Sequence, residues 1–129
     1  MQKTTKKNRP KNLNLFTIRL PINAVVSILH RVSGVGLFLS IPLILWALQA
    51  LLTSEASYQQ LTGWLSMWFV KLMLIGLAWA FFHHFFAGIR HLLQDIHWMT
   101  SLNNARLSSR ILLCLVGIST VIFGVYIWL

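Results

Sequence analysis

From Val32 to Leu52 the chain has no charged side chain for 21 residues, and this stretch dictates the solvent in which it folds. A helix of about 20 apolar residues is what crosses a hydrocarbon layer roughly 30 Å thick. Two further runs follow. One extends roughly from Trp64 to Leu93, interrupted by Lys71 near its start, with His83 and His84 in its second half and Arg90, His91 and Asp95 at its end. The other, Ile111 to Leu129, is uncharged to the last residue. The expected fold is an all-α membrane protein. A basic tail over 1–20 precedes a three-helix transmembrane domain over 21–129, with spans at about 27–52, 64–93 and 111–129. Composition agrees. Of 129 residues, 57% are hydrophobic and 10% charged, against roughly 25% charged in a soluble domain, and the mean hydropathy is +0.69.

The cations set the expected orientation. Seven of the eleven Lys and Arg lie before residue 32, and the formal charge is +9 with only Glu55 and Asp95 opposing it. A basic excess placed ahead of apolar runs suits an anionic membrane face or an acidic partner rather than nucleic acid. The tail and the second linker, Thr100 to Arg110, are rich in Lys and Arg; the first linker and the C-terminus have none. The positive-inside rule then puts the N-terminus in the cytoplasm and the C-terminus outside, which three spans satisfy and two or four do not. The inner (cytoplasmic) membrane, crossed several times, is the expected location. No secretory signal is expected, because the first apolar run exceeds an h-region of about 7–15 residues.

Local signals refine the elements. Pro21 is placed to open the first helix and Pro42 to kink it. Thr53 to Gln60 reads as a short polar loop, and Ser108 or Ser109 as a cap for the third helix. Cys114, mid-run among apolar residues, reads as a packing residue.

Ionisable groups in a span are costly, so each needs a partner or a task. On the first helix Ser27, Arg31 and Gly34 share a face, with His30 beside them. On the second, His84, Gly88, His91 and Asp95 form one stripe flanked by Ala80 and Ala87, which leaves room for a flat group to approach the backbone. His83 points about 100° away, toward Trp79 and Arg90. Both groups fall at the cytoplasmic end and can face one another. An imidazole in an apolar setting suits an axial position on haem iron; Arg31 and His30 suit haem propionates, or with Ser27 a quinone carbonyl. Plainer roles stand beside these. Arg31 can anchor the helix at lipid phosphate, and Ser27 can bond its own backbone. His30 and His91 can be solvated at the interface, His83 can be a helix contact, and His84, read as the deepest, can be a hydrogen bonder. Trp79, Phe81, Phe82, Phe85 and Phe86 read as lipid-facing bulk. Lys71 reads as snorkelling outward, and Asp95 can pair with Arg90 or His91.

Two motifs add to this. Ser27-Ile28-Leu29-His30-Arg31-Val32-Ser33-Gly34 resembles the Ser-x-x-His-Arg-x-Ser/Thr-Gly signature of the cytochrome b subunit of succinate dehydrogenase, and Arg9-Pro10 resembles that family's N-terminal element. His84-Phe85-Phe86-Ala87-Gly88-Ile89-Arg90-His91, followed by Asp95, is similar to its second signature, His-x-x-x-Gly-x-Arg-His with a nearby Asp. The resemblance spans residues 9 to 95 in order. Lys11, Gln94 and His97 depart from the family pattern, and no role is assigned to His91, Asp95 or His97.

The resemblance implies a membrane-anchor subunit of respiratory complex II within a heteromeric helical bundle. His84 is implied as an axial ligand to the iron of haem b, shared with a partner subunit. Ser27 and Arg31 are implied at the ubiquinone site, and His30 and Arg31 at the haem propionates. The implied partners are a second three-helix membrane subunit, an iron–sulfur subunit, an FAD flavoprotein and membrane lipid. Electrons would pass from succinate to ubiquinone, and Arg31 would stabilise the charge that builds on the quinone. The chain itself has no flavin or iron–sulfur motif and nothing to bind succinate, so succinate chemistry is expected elsewhere. The rival expectations are the anchor of a fumarate reductase, with electrons flowing in reverse, and a cofactor-free assembly or transport subunit whose histidines only join helices.

Overall fold

A computed structural model describes residues 18–129. The basic tail, with Arg9-Pro10 and Lys11, lies almost wholly outside the described residues. Four helices make up the rest: α1 (Ile22–Thr53), α2 (Glu55–Leu65), α3 (Trp68–Asp95) and α4 (Leu102–Trp128). No strand occurs among the described residues. Helices α1, α3 and α4 are long and apolar enough to cross a membrane. With 32, 28 and 27 residues they extend about 48, 42 and 40 Å at 1.5 Å per residue. That exceeds the hydrocarbon thickness, so their end turns reach the headgroup layers.

Pro21 stands just before α1 in an extended conformation, and its carbonyl accepts from Ala24 N at 2.9 Å and Val25 N at 3.2 Å. The ring's fixed φ presets this entry without a lost hydrogen bond. Helix α1 then passes through Pro42 as one element.

Two local expectations are corrected. The segment read as a polar loop, Thr53 to Gln60, is helical from Glu55. Ser54 and Ser57 form a reciprocal capping box, and Ser57 Oγ also donates to Ala50 O at 2.8 Å, tying the start of α2 to the last turns of α1. The box was masked by Ser rather than Glu or Gln at its third position. Trp64 and Leu65 therefore close α2, with Trp64 stacked on Trp46 at 5.5 Å, and α3 starts at Trp68 after the break at Ser66 and Met67. Helix α4 begins at Leu102, capped by Ser101 Oγ accepting from Asn104 N at 3.4 Å. Ser108 and Ser109 lie inside it, facing its neighbours.

Helix α3 runs antiparallel to both others. The Ile75 side chain meets Gly124 near one end, and Arg90 meets Ser108 near the other. The starts of α1 and α4 lie together, since Ser109 Oγ donates to Asn23 Oδ1 at 2.8 Å. The core is small: Val26, Ala87, Leu112 and Val116, with Trp79, Phe82, Phe86 and Leu113 packed on it. This divides the aromatic run, in which only Phe81 and Phe85 face outward. Many other large apolar side chains are exposed, such as Phe38, Leu39 and Met73, as expected where lipid or neighbouring helices are the solvent. Cys114 lies on this outer surface, not in packing. Lys71 is not directed outward alone; its Nζ sits 5.7 Å over the Trp128 ring, a cation–π contact closing the far end of the α3–α4 pair.

Candidate functional site

The two polar faces expected from the sequence meet near the start of α1. His30 and His84 stack with ring centroids 4.2 Å apart and 12° between planes. The approach depends on glycine. A Cβ on Gly34 would lie 2.9 Å from His84 Cε1, a separation real side chains do not tolerate. Across the contact, a Cβ on Gly88 would lie 3.8 Å from His30 Nε2. The small residues thus make room for a flat group, as expected. That group is the imidazole of the facing helix.

One carbonyl organises the pair. His30 O accepts from Ser33 Oγ at 2.9 Å and lies 3.1 Å from His84 Nδ1. A carbonyl has no proton to give, so His84 Nδ1 is the nitrogen that donates, and in the neutral ring the lone pair falls on Nε2. Among the described residues Nε2 makes no hydrogen bond, and the His84 ring is only half-buried. His91 extends the cluster, its ring 5.1 Å from that of His30. The buried His30 Nε2 has no hydrogen-bond partner among the described residues.

His83 contrasts with its neighbour at every point. The sequence makes His84 the deeper of the two, but His83 is the enclosed one: fully buried, 5.4 Å from the Trp79 ring, with both nitrogens unpaired among the described residues. The two residues differ by one step of about 100° around α3. That step turns His83 into the bundle and His84 onto its open side.

Ser27 and Arg31 lie one turn apart on α1. Ser27 is half-buried, Arg31 is exposed, and neither hydrogen-bonds to another described residue. Arg90 behaves otherwise. It is buried, with Nε donating to Ser108 Oγ at 3.0 Å and Nη2 to Ala105 O at 3.2 Å. Neither Asp95 nor His91 is its hydrogen-bond partner among the described residues. Helix α4 is therefore more than apolar bulk, and its serines, read as caps, are what sequence reasoning missed. A charge inside a span that needs an acceptor was the available signal.

Sequence comparisons show the family. The family described as succinate dehydrogenase/fumarate reductase transmembrane subunit matches residues 5–124. The chain belongs to that family. Similar curated proteins include the succinate dehydrogenase cytochrome b556 subunit of Coxiella burnetii, 36% identical over 93% of this chain and 97% of the relative. The b556 subunit of Paracoccus denitrificans is 35% identical over 82% of each. The b560 subunit of Reclinomonas americana is 32% identical over 89% of this chain and 83% of the relative. The family and its relatives support a succinate dehydrogenase membrane anchor, and the three long apolar helices are its membrane part.

Proposed function

We propose that this subunit binds one side of a haem b through His84, forms part of a ubiquinone site with Ser27 and Arg31, and serves electron transfer from succinate to quinone. The observation that supports it most is the state of His84. Its Nδ1–H is engaged by a backbone carbonyl and its ring is seated against Gly34 and His30. Metal-ligating histidines are oriented in this way, with the second nitrogen free to donate to iron. The donor set fits haem better than a bare ion. No three metal-ligating side chains converge among the described residues, and haem, which carries most of its iron's ligands itself, would need only an imidazole such as His84 from this chain.

Haem, when bound, supplies a one-electron redox centre within the membrane. Around it the chain's own residues do three things. The His30 carbonyl holds His84 in one tautomer and one orientation. His30 and Arg31 offer positive or N–H-bearing groups to the propionates. Ser27 and Arg31 offer two donors to a quinone head, and Arg31 stabilises negative charge as it builds there. With His83 enclosed in the bundle, His84 is the imidazole of α3 that an external group can reach at this depth.

His84 would hold the haem from this chain's side, and a second ligand would come from another three-helix subunit. An iron–sulfur subunit and an FAD flavoprotein complete the path from succinate. They dock on the cytoplasmic side of the inner membrane, where the basic tail and the linker before α4 lie under the positive-inside rule. The curated relatives are named for succinate dehydrogenase, which favours this direction over fumarate reduction. Optical and mass analysis of the detergent-extracted complex tests the reading. A Soret band with flavoprotein, iron–sulfur and second anchor subunits is expected. A complex without haem would leave an assembly anchor.

A further inference from the structure

Ser33 is only 2% exposed, so its hydroxyl needs an acceptor inside the protein. Among the described residues that acceptor is His30 O, three residues back, at 2.9 Å. A serine within a helix ordinarily bonds its own backbone and does nothing more. Ser40, about two turns further along α1, is such a case. Its Oγ donates to Leu37 O at 2.7 Å, and no side chain of another helix shares that carbonyl among the described residues.

The carbonyl that Ser33 uses has a second task. His84 Nδ1, on α3, lies 3.1 Å from the same oxygen. In the continuous α1 helix this oxygen also faces the N–H of Gly34, four residues on. A carbonyl oxygen has two lone pairs, so three donors compete for it and each weakens its hold on the others. Ser33 and His84 are thereby coupled through one atom. The strength of the Nδ1–H bond matters, because a stronger acceptor there makes a metal-ligating imidazole more basic. A more basic axial nitrogen favours ferric over ferrous iron, and hydrogen bonding around the ligands is one of the levers that set a haem potential.

We infer that Ser33 is a positioning residue for the haem site: its hydroxyl occupies part of the His30 carbonyl, limits the basicity of His84 and keeps the haem easier to reduce. The inference rests on His84 as the haem ligand. Ser33 acts only through the His30 carbonyl, and its commitment there separates it from Ser27, whose hydroxyl makes no hydrogen bond to another described residue. The direction of the effect follows from the competition. With the hydroxyl gone, His84 Nδ1–H gains a larger share of the oxygen, Nε2 becomes the better donor, and reduction becomes harder.

The test uses the intact complex, equilibrated at stepped ambient potentials while the haem bands are followed. In Ser33→Ala the carbonyl keeps its other two donors, so no buried group is orphaned and assembly should stand. At a fixed ambient potential the ratio of ferric to ferrous haem should rise about threefold or more. Ser33→Cys, similar in size but a weak donor, should shift the ratio in the same direction. Ser33→Thr keeps the hydroxyl and should restore the wild-type ratio. Ser40→Ala loses the same kind of bond from the same helix and should leave the ratio unchanged. A wild-type ratio in both Ser33→Ala and Ser33→Cys would overturn the inference, as would a shift toward easier reduction or an equal shift in Ser40→Ala. The reading beneath it fails separately. Haem bands unaltered by His84→Ala would remove the ligand and the inference with it, whereas bands lost in His84→Ala beside an unmoved ratio in the Ser33 variants would sink the inference alone.

Discussion

The α1–α3 and α3–α4 contacts both bring nitrogen-bearing side chains into the membrane, but they treat them in opposite ways. Between α3 and α4, Arg90 is bound to Ser108 and Ala105, and Ser109 ties α4 to Asn23 at the same level. Between α1 and α3, His30 and His84 stack on glycines and leave Nε2 of His84 and the donors of Ser27 and Arg31 uncommitted among the described residues. The first contact uses polarity to hold helices together. The second uses close packing to hold helices together and leaves its polar groups uncommitted among the described residues.

Substitutions can sharpen that difference. The largest effect on folding is expected at Arg90. Arg90→Ala removes two buried hydrogen bonds and leaves a cavity, at about 2–4 kcal/mol, and should show as reduced assembled complex and a lower unfolding temperature. Gly34→Ala comes next. Its Cβ would press on His84 Cε1, and shifting that ring costs about 1–3 kcal/mol. The variant should disturb the haem spectrum as well as stability, whereas Arg90→Ala should change the amount of complex more than the shape of its spectrum. Ser109→Ala loses the α4–α1 hydrogen bond, about 1 kcal/mol, with the spectrum unchanged. Gly88→Ala is the smallest. Its Cβ would meet His30 at an ordinary 3.8 Å, and the change should stay within about 0.5 kcal/mol.

Function separates the two contacts along another axis. Arg31→Ala should lower quinone reduction strongly while leaving succinate oxidation with a soluble acceptor largely intact. Equal loss of both activities would make Arg31 an assembly residue, like Arg90.

Much of this difference is legible in the sequence. One uncharged run of 21 residues and two further long apolar runs leave only membrane helices, and 3.6-residue periodicity separates His83 from His84. The glycines at 34 and 88 announce a close approach. Periodicity does not say what approaches: the second helix reads as leaving room for a flat group, and in the structure the His30 ring of α1 stacks on His84 there. The polar segments misled for a related reason. Ser54-Glu55-Ala56-Ser57 and Ser101 to Ser109 look like linker by composition, yet the serines bond backbone and neighbouring helices and allow helix to continue. Depth along a span was also mistaken for enclosure. His83 and His84 lie at nearly the same depth, and only the positions of α1 and α4 decide which is covered.

The most direct measurement is the reduced-minus-oxidised optical spectrum of the complex carrying His84→Ala, beside the same complex carrying His83→Ala. The account predicts that the first loses or strongly shifts its haem bands and the second keeps them. Unaltered bands in His84→Ala, or their loss in His83→Ala alone, would contradict it.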